Sequence, residues 1–156
     1  MNREKFSLTD LDFMGKALLE AQKAFACGEV PVGAILVFEG QVIARSYNQM
    51  ETLKDPSAHA ELLCIRKGAQ MLGDWRLLEA TLYTTLEPCL MCAGAIVHSR
   101  IARLIFGARD PKAGAVESLY HVLNDPRLNH HVQVTEGIQA ERCQEIVQSF
   151  FQRRRG

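Results

Sequence analysis

Two short stretches, His59-Ala60-Glu61 and Pro88-Cys89-Leu90-Met91-Cys92, restrict what this chain can fold into more than anything else in it. Residues three apart on a helix point the same way on adjacent turns, so Cys89 and Cys92 can grip one metal ion. His98 cannot join them. It lies six residues beyond Cys92, about 9 Å further along a helix and turned well away from the cysteine face. A third ligand has to come from elsewhere in the chain, and the fold must deliver it to the same point. His59 and Glu61 would diverge inside a helix, but side chains of a first turn lean toward the N-terminus and both can approach a metal there. Asp55, or failing that Ser57, is placed to cap such a helix.

One His and two Cys leave the fourth position of a tetrahedral zinc open to water, which marks a catalytic rather than a structural site. Glu61, beside the metal without being needed to hold it, would move that water's proton. Two thiolates already cancel the zinc charge, so the metal alone lowers the water's pKa less than three neutral histidines would, and an adjacent base is useful. The positive ends of both helices favour thiolate and hydroxide. The competing reading is a redox Cys-x-x-Cys with a first-turn glutamate that merely suits the helix dipole.

The chain has 156 residues, 47% of them hydrophobic and 23% charged, which fits a single domain over 1–156 with a sizeable core. No apolar run approaches the ~20 residues of a membrane span, and the polar start Met1-Asn2-Arg3-Glu4-Lys5 has no apolar stretch behind it, so a cytoplasmic protein is expected. Five cysteines, an odd number, with two assigned to a metal, suit a reducing compartment better than a disulfide framework. The formal net charge is zero, so the total does not point to nucleic acid. The distribution says more: Arg100, Arg103, Arg109 and Lys112 follow the second motif, and Arg153-Arg154-Arg155 close the chain as a polar end.

Leu8, Leu11, Met14, Leu18, Ala21 and Phe25 mark an amphipathic first helix, opened by the capping-box-like Ser7-Leu8-Thr9-Asp10 and ended by Gly28. Residues 33–38 and 41–45, joined by Glu39-Gly40, predict a hairpin. Ala58, Leu62, Ile65, Ala69 and Leu72 mark the buried stripe of the next helix, with Cys64 on the opposite, outward side. Cys27 and Cys143 are expected to be small packing groups. A strand over 82–86 runs into Pro88, read as the first residue of a short helix that ends near Ser99. Strands at 102–107 and 132–135 follow, with a loop-rich stretch from 108 to 131 before the second, and a last helix starts at Ala140. The expected architecture is a three-layer α/β/α sandwich with a mixed five-stranded sheet. The 108–131 stretch is longer than most connections, and such segments are often functional.

The pairing of His59-Ala60-Glu61 with Pro88-Cys89-Leu90-Met91-Cys92 resembles the signature of the zinc-dependent cytidine and deoxycytidylate deaminase superfamily. Along nearly its whole length the chain further resembles the bacterial tRNA-specific adenosine deaminases. The likeness rests on 29–34 (EVPVGA), 55–61 (DPSAHAE), 85–89 (TLEPC), 107–110 (GARD), Asn129-His130, and Phe150-Phe151 before the arginines. It implies a cytidine-deaminase-like fold, a homodimer with one zinc ion (Zn2+) per subunit, and conversion of the wobble adenosine of a tRNA anticodon stem-loop, chiefly of an arginine tRNA, to inosine. By position it implies His59, Cys89 and Cys92 as zinc ligands and Glu61 as the proton shuttle for attack of zinc-bound hydroxide on adenine C6.

The same likeness gives the amide of Ala60 a part in holding the base, and makes Val30, Asn48 and Leu86 pocket wall. It sets Asp110, Phe151 and Arg154 around the flanking anticodon nucleotides. From residue type alone, Asn48 reads equally as a polar strand end, Phe151 as core packing at the rim of the last helix, and the arginines as a solvated helix end. Glu117, after Gly114-Ala115, departs from the family pattern by putting a carboxylate where a small residue is expected. Two other classes fit parts of the chain. A free-base deaminase acting on guanine or cytosine would share the zinc site without needing a basic last helix, and a non-catalytic zinc-stabilised binding module would not need Glu61.

Overall fold

A computed structural model describes residues 8–155. The expected cap at Ser7 and the polar start from Met1 to Lys5 lie outside them. In chain order the elements are α1 (Leu8–Ala26), β1 (Gly33–Phe38), β2 (Gln41–Tyr47), α2 (Met50–Leu53), α3 (Ala60–Leu72), β3 (Thr81–Leu86), α4 (Leu90–His98), β4 (Arg103–Ala108), β5 (Gln133–Glu136) and α5 (Ala140–Arg155). The five strands form one sheet in the order β2-β1-β3-β4-β5. β1 runs antiparallel to β2 and β3, while β3, β4 and β5 are parallel, so the sheet is mixed as expected. No helix among the described residues is long and apolar enough to cross a membrane.

The strands alternate between two cores. Ala34, Leu36, Leu82, Leu104 and Phe106 face α3 and α4, while Ile35, Val37, Tyr83 and Ile105 face α1 and α5. Burial on both faces is why these strands read as near-continuous apolar runs. The layers are therefore α1 and α5, the sheet, then α3 and α4.

Small residues set how closely the helices approach. The buried residues of α3 include Ala60, Cys64 and Gly68, spaced four apart, with Glu61 and Leu63 beside them, while Ile65, Ala69 and Leu72 of the expected stripe pack against the same core from the flank. Cys64 is fully buried and its thiol donates to the carbonyl of Ala34 at 3.2 Å, which corrects the expectation of an outward cysteine. Leu62, Ile65, Ala69 and Leu72 are only partly buried, on the flanks. A helix with small residues along its centre lies nearer a sheet than one with leucines there, and the leucines then fill its edges. Of the other two cysteines expected to be packing groups, Cys143 is buried and Cys27 is exposed.

Between α1 and the sheet the same device operates at Gly33, where a Cβ would overlap the Ala17 carbonyl and the Ala21 amide of α1. Gly33→Ala is therefore expected to push α1 off β1 and to lower unfolding free energy by roughly 1–3 kcal/mol, as overpacked cores do. Urea denaturation of the variant beside the parent checks this.

Asp10, expected to serve a capping box, is buried and takes the hydroxyl of Tyr83 and the guanidinium of Arg103, the latter at 2.8 Å. It ties α1 to β3 and β4. The stretch from 108 to 131 contains one 3-10 turn, Val122–Asn124, and packs against α4.

Candidate metal centre and its pocket

β3 and β4 are parallel and end side by side at Leu86 and Ala108. Ligand sites in open α/β sheets form outside the carboxyl ends of such strands. The chain leaving β3 carries Cys89 and the chain leaving β4 carries Asp110.

His59 and Cys89 occupy equivalent places, each the residue just before its helix, with extended backbones (φ −75°, ψ 150° and φ −76°, ψ 177°). Neither caps its helix through its side chain, so the first-turn amides and the positive helix ends are left toward the site. The sequence-based expectations differ here in two ways. Asp55 does not cap α3; its carboxylate closes a turn by accepting from the amide and hydroxyl of Ser57 at 2.8 and 2.7 Å, because the cap position belongs to His59. Pro88 does not open α4 either. Its carbonyl accepts from the amide of Ala115 at 2.8 Å and Cys89 bridges Gly114, which keeps this segment extended until Leu90.

Nδ1 of His59 lies 3.5 Å from the sulfurs of both Cys89 and Cys92, and the three atoms all lie within 4.8 Å of one another. A tetrahedral cation with Zn–N and Zn–S bonds of usual length needs an N···S separation of about 3.6 Å, so the trio fits such an ion without rearrangement. The protons shared within it point the same way. The Cys92 thiol donating to Cys89, together with His59, pulls Cys89 down to about 4. The same hydrogen bond and burial push Cys92 up, and the bond to Cys89 raises His59. These are the protons a cation would displace.

Glu61, in the first turn of α3, is 4% exposed. Burial pushes its carboxyl up to about 7, against the pull of its own amide and of His59. A carboxyl tuned to neutrality beside a metal trio suits proton transfer in both directions.

His59, Cys89 and Glu61 open into a cavity of about 200 Å³ whose walls include Val30, Asn48, Ala60, Leu86, Asp110 and Ala113, with Cys92 buried behind them. Val30, Asn48 and Leu86, which the resemblance makes pocket wall, all line this cavity. Asn48 is buried, with its amide donating to the Val30 carbonyl at 3.2 Å and its oxygen 3.4 Å from the Met50 amide. Val30, Leu86, Asp110 and Ala113 also line a second, wider hollow of about 500 Å³ that continues to Lys112, Phe151 and Arg155. Phe151 is 42% exposed there, with Phe150 buried behind it, so the core-packing reading belongs to Phe150. Arg154 is not among the residues lining that hollow. Its guanidinium donates to the Gly28 carbonyl at 3.0 Å and lies over the Phe150 ring, while Arg153 lies over Phe25. These two arginines clasp α5 to α1, so the run is more than a solvated polar end.

Two buried carboxylates beside the site, Glu29 and Glu87, have no role in the sequence reading. Glu29 accepts from the amides of Glu51 and Thr52 and from the Thr52 hydroxyl, anchoring the unexpected α2 beside Val30 and Asn48. Glu87 gathers five hydrogen bonds from residues 110–118. The only signal for it was its place directly before Pro88-Cys89. Glu117 donates its amide to Glu87, and its carboxylate lies 3.4 Å from the Asn124 amide nitrogen.

Residues 8–155 match the family described as MafB19-like deaminase. The chain is 50% identical to the tRNA-specific adenosine deaminase of Haemophilus influenzae, over 94% of this chain and 85% of that protein. It is 48% identical to the enzyme of the same name from Bacillus subtilis, over 89% and 86%. It also superposes, with a TM-score of 0.84 and 49% identity over 86% of this chain and 98% of the other, on a structure from studies of A-to-I editing by tRNA:A34 deaminases at the wobble position of transfer RNA.

Proposed function

The chain belongs to the tRNA-specific adenosine deaminases, and from that premise we propose that it converts adenosine to inosine at the wobble position of a tRNA anticodon, chiefly of an arginine tRNA. The carrying observation is the His59, Cys89 and Cys92 trio, whose His59 and Cys89 share with Glu61 the wall of a cavity sized for one base. In this reading His59 and the two thiolates hold one zinc ion per subunit. Zinc bound there lowers the pKa of a water and supplies the nucleophile for hydrolytic loss of the amino group.

The chain's own groups do the rest. Glu61 takes a proton from the attacking water and gives it to the purine ring nitrogen, then takes the proton of the hydroxyl added at C6 and gives it to the amino group, which leaves as ammonia. The Ala60 amide and Asn48 hold the base between Val30 and Leu86. The flanking nucleotides lie in the wider hollow, where Phe151 offers an exposed ring face and Lys112 and Arg155 offer charge to phosphates. An anticodon loop presents a base that leaves its stack more easily than one in a duplex.

A homodimer in the cytoplasm, each subunit forming one catalytic domain over 1–156, completes the proposal. Its support is the set of exposed large apolar side chains Leu90, Met91, Leu119 and Tyr120 around the metal motif and the following loop.

The free-base reading leaves the wider hollow without a use. Assaying ammonia release by the zinc-loaded protein on an anticodon stem-loop and, in parallel, on guanine, adenine and cytosine distinguishes the two. Turnover of the stem-loop alone is expected; turnover of a free base alone would support the free-base alternative.

The arginines make a finer prediction. Arg155→Ala should weaken stem-loop binding and reduce the log-log salt slope by roughly 0.7, the loss of one phosphate contact to a single strand. Arg154→Ala, which loosens the clasp on Gly28 and Phe150, should lower thermal stability instead. Salt titrations and melting curves of the two variants check the division.

A further inference from the structure

Glu87 is 2% exposed, and its carboxylate sits at the centre of the chain that returns from β4. One oxygen accepts from the Asp110 amide at 3.0 Å and from the Ser118 hydroxyl. The other accepts from the amides of Val116, Glu117 and Ser118 at 3.0, 2.7 and 2.9 Å. Burial pushes this carboxyl up, but the hydrogen bonds from Ser118, Glu117 and Asp110 outweigh it, and its pKa lies below the ordinary value. It is therefore an anion with nearly all its lone pairs used by one loop.

The loop is shaped to the carboxylate as well. A Cβ on Gly114 would overlap the Glu87 carboxyl, so only glycine fits there. From Gly114 and Ala115 the same loop pairs with Cys89 and Pro88. Asp110 in turn accepts from the amides of Lys112 and Ala113 at 3.1 and 3.2 Å, closing the turn whose Asp110 and Ala113 line both the small cavity and the wider hollow. One buried anion thus joins the strand that delivers a metal ligand to the turn that lines both spaces.

We propose that Glu87 is a positioning residue for substrate: it sets the height of the Asp110–Ala113 turn over the metal centre and so governs recognition of the nucleotide rather than the chemical step. This rests on the deaminase reading above and deepens it.

Glu87→Gln separates this role from general support of the fold. An amide oxygen can keep the three amides of residues 116–118, but the new NH2 then meets the Asp110 N–H, donor against donor. Ser118 can turn its hydroxyl to accept. The bond specifically lost is the one to Asp110.

The expected result for Glu87→Gln is unchanged zinc stoichiometry, a rise of about tenfold or more in KM for an anticodon stem-loop, and a kcat within about threefold of the parent. Faster amide hydrogen exchange confined to residues 110–118 is expected as well, a readout independent of activity. Ser118→Ala, which removes one bond and no charge, should shift KM in the same direction by less, and it decides the matter should Glu87→Gln fail to fold. An unchanged KM, or a kcat falling in step with zinc content, would overturn the proposal. A parent protein that forms no inosine from the stem-loop would instead overturn the deaminase reading, while the exchange result would still test the link between Glu87 and the turn.

Discussion

Glu61→Ala is expected to keep zinc and fold while losing nearly all turnover. Glu61 is buried beside the trio, yet it is not one of the three groups that converge within 4.8 Å, so its loss leaves the metal set whole. Loss of general acid and base help costs ~100-fold to 10,000-fold, and a carboxylate that serves both proton transfers stands at the upper end. Stability should not suffer, because the wild-type fold holds a carboxyl that burial has already pushed up to about 7. The isosteric Glu61→Gln should behave alike, which separates the proton from the packing. The measurements are zinc content, a melting curve and the single-turnover rate on a stem-loop. A near-normal rate would remove Glu61 from the proton transfers, and no turnover by the zinc-loaded parent would favour the non-catalytic binding module.

The second large effect is expected at the ligands. His59→Ala and Cys89→Ser should each lose stoichiometric zinc and, with it, activity. Each ligand lies before a helix whose first amides face the centre, so a missing ligand also leaves partial positive ends unopposed. Structural consequences should be local, because the two cores on either face of the sheet are built without these side chains. Metal analysis beside circular dichroism checks both halves. Full zinc in the Cys89→Ser protein would rule out this ligand set.

The parts of the site that could be read from the chain are those where the chemistry constrains spacing. Two cysteines three apart and a His-x-Glu pair carry their own geometry, and the hairpin and β3 carry theirs through apolar runs bounded by turn residues. What could not be read depends on distant returns of the chain. Glu87 is one glutamate among many until residues 110–118 come back around it. Cys64 reads as outward because the large residues of α3 define a plausible stripe, whereas the fold uses the small ones for closest approach. Pro88 suits a helix start on propensity, and pairing with Gly114-Ala115 overrides it. The arginine run looks uniform in sequence, yet Phe25, Phe150 and the Gly28 carbonyl take two of its members and leave Arg155 on the hollow.

The most direct measurement is nucleoside analysis of bulk tRNA incubated with the purified, zinc-loaded protein. Digestion followed by chromatography should show inosine formed at the expense of adenosine, mapped to the wobble position of an arginine tRNA and absent with Glu61→Ala. Bulk tRNA recovered without inosine, from a protein carrying one zinc per chain, would contradict the assignment.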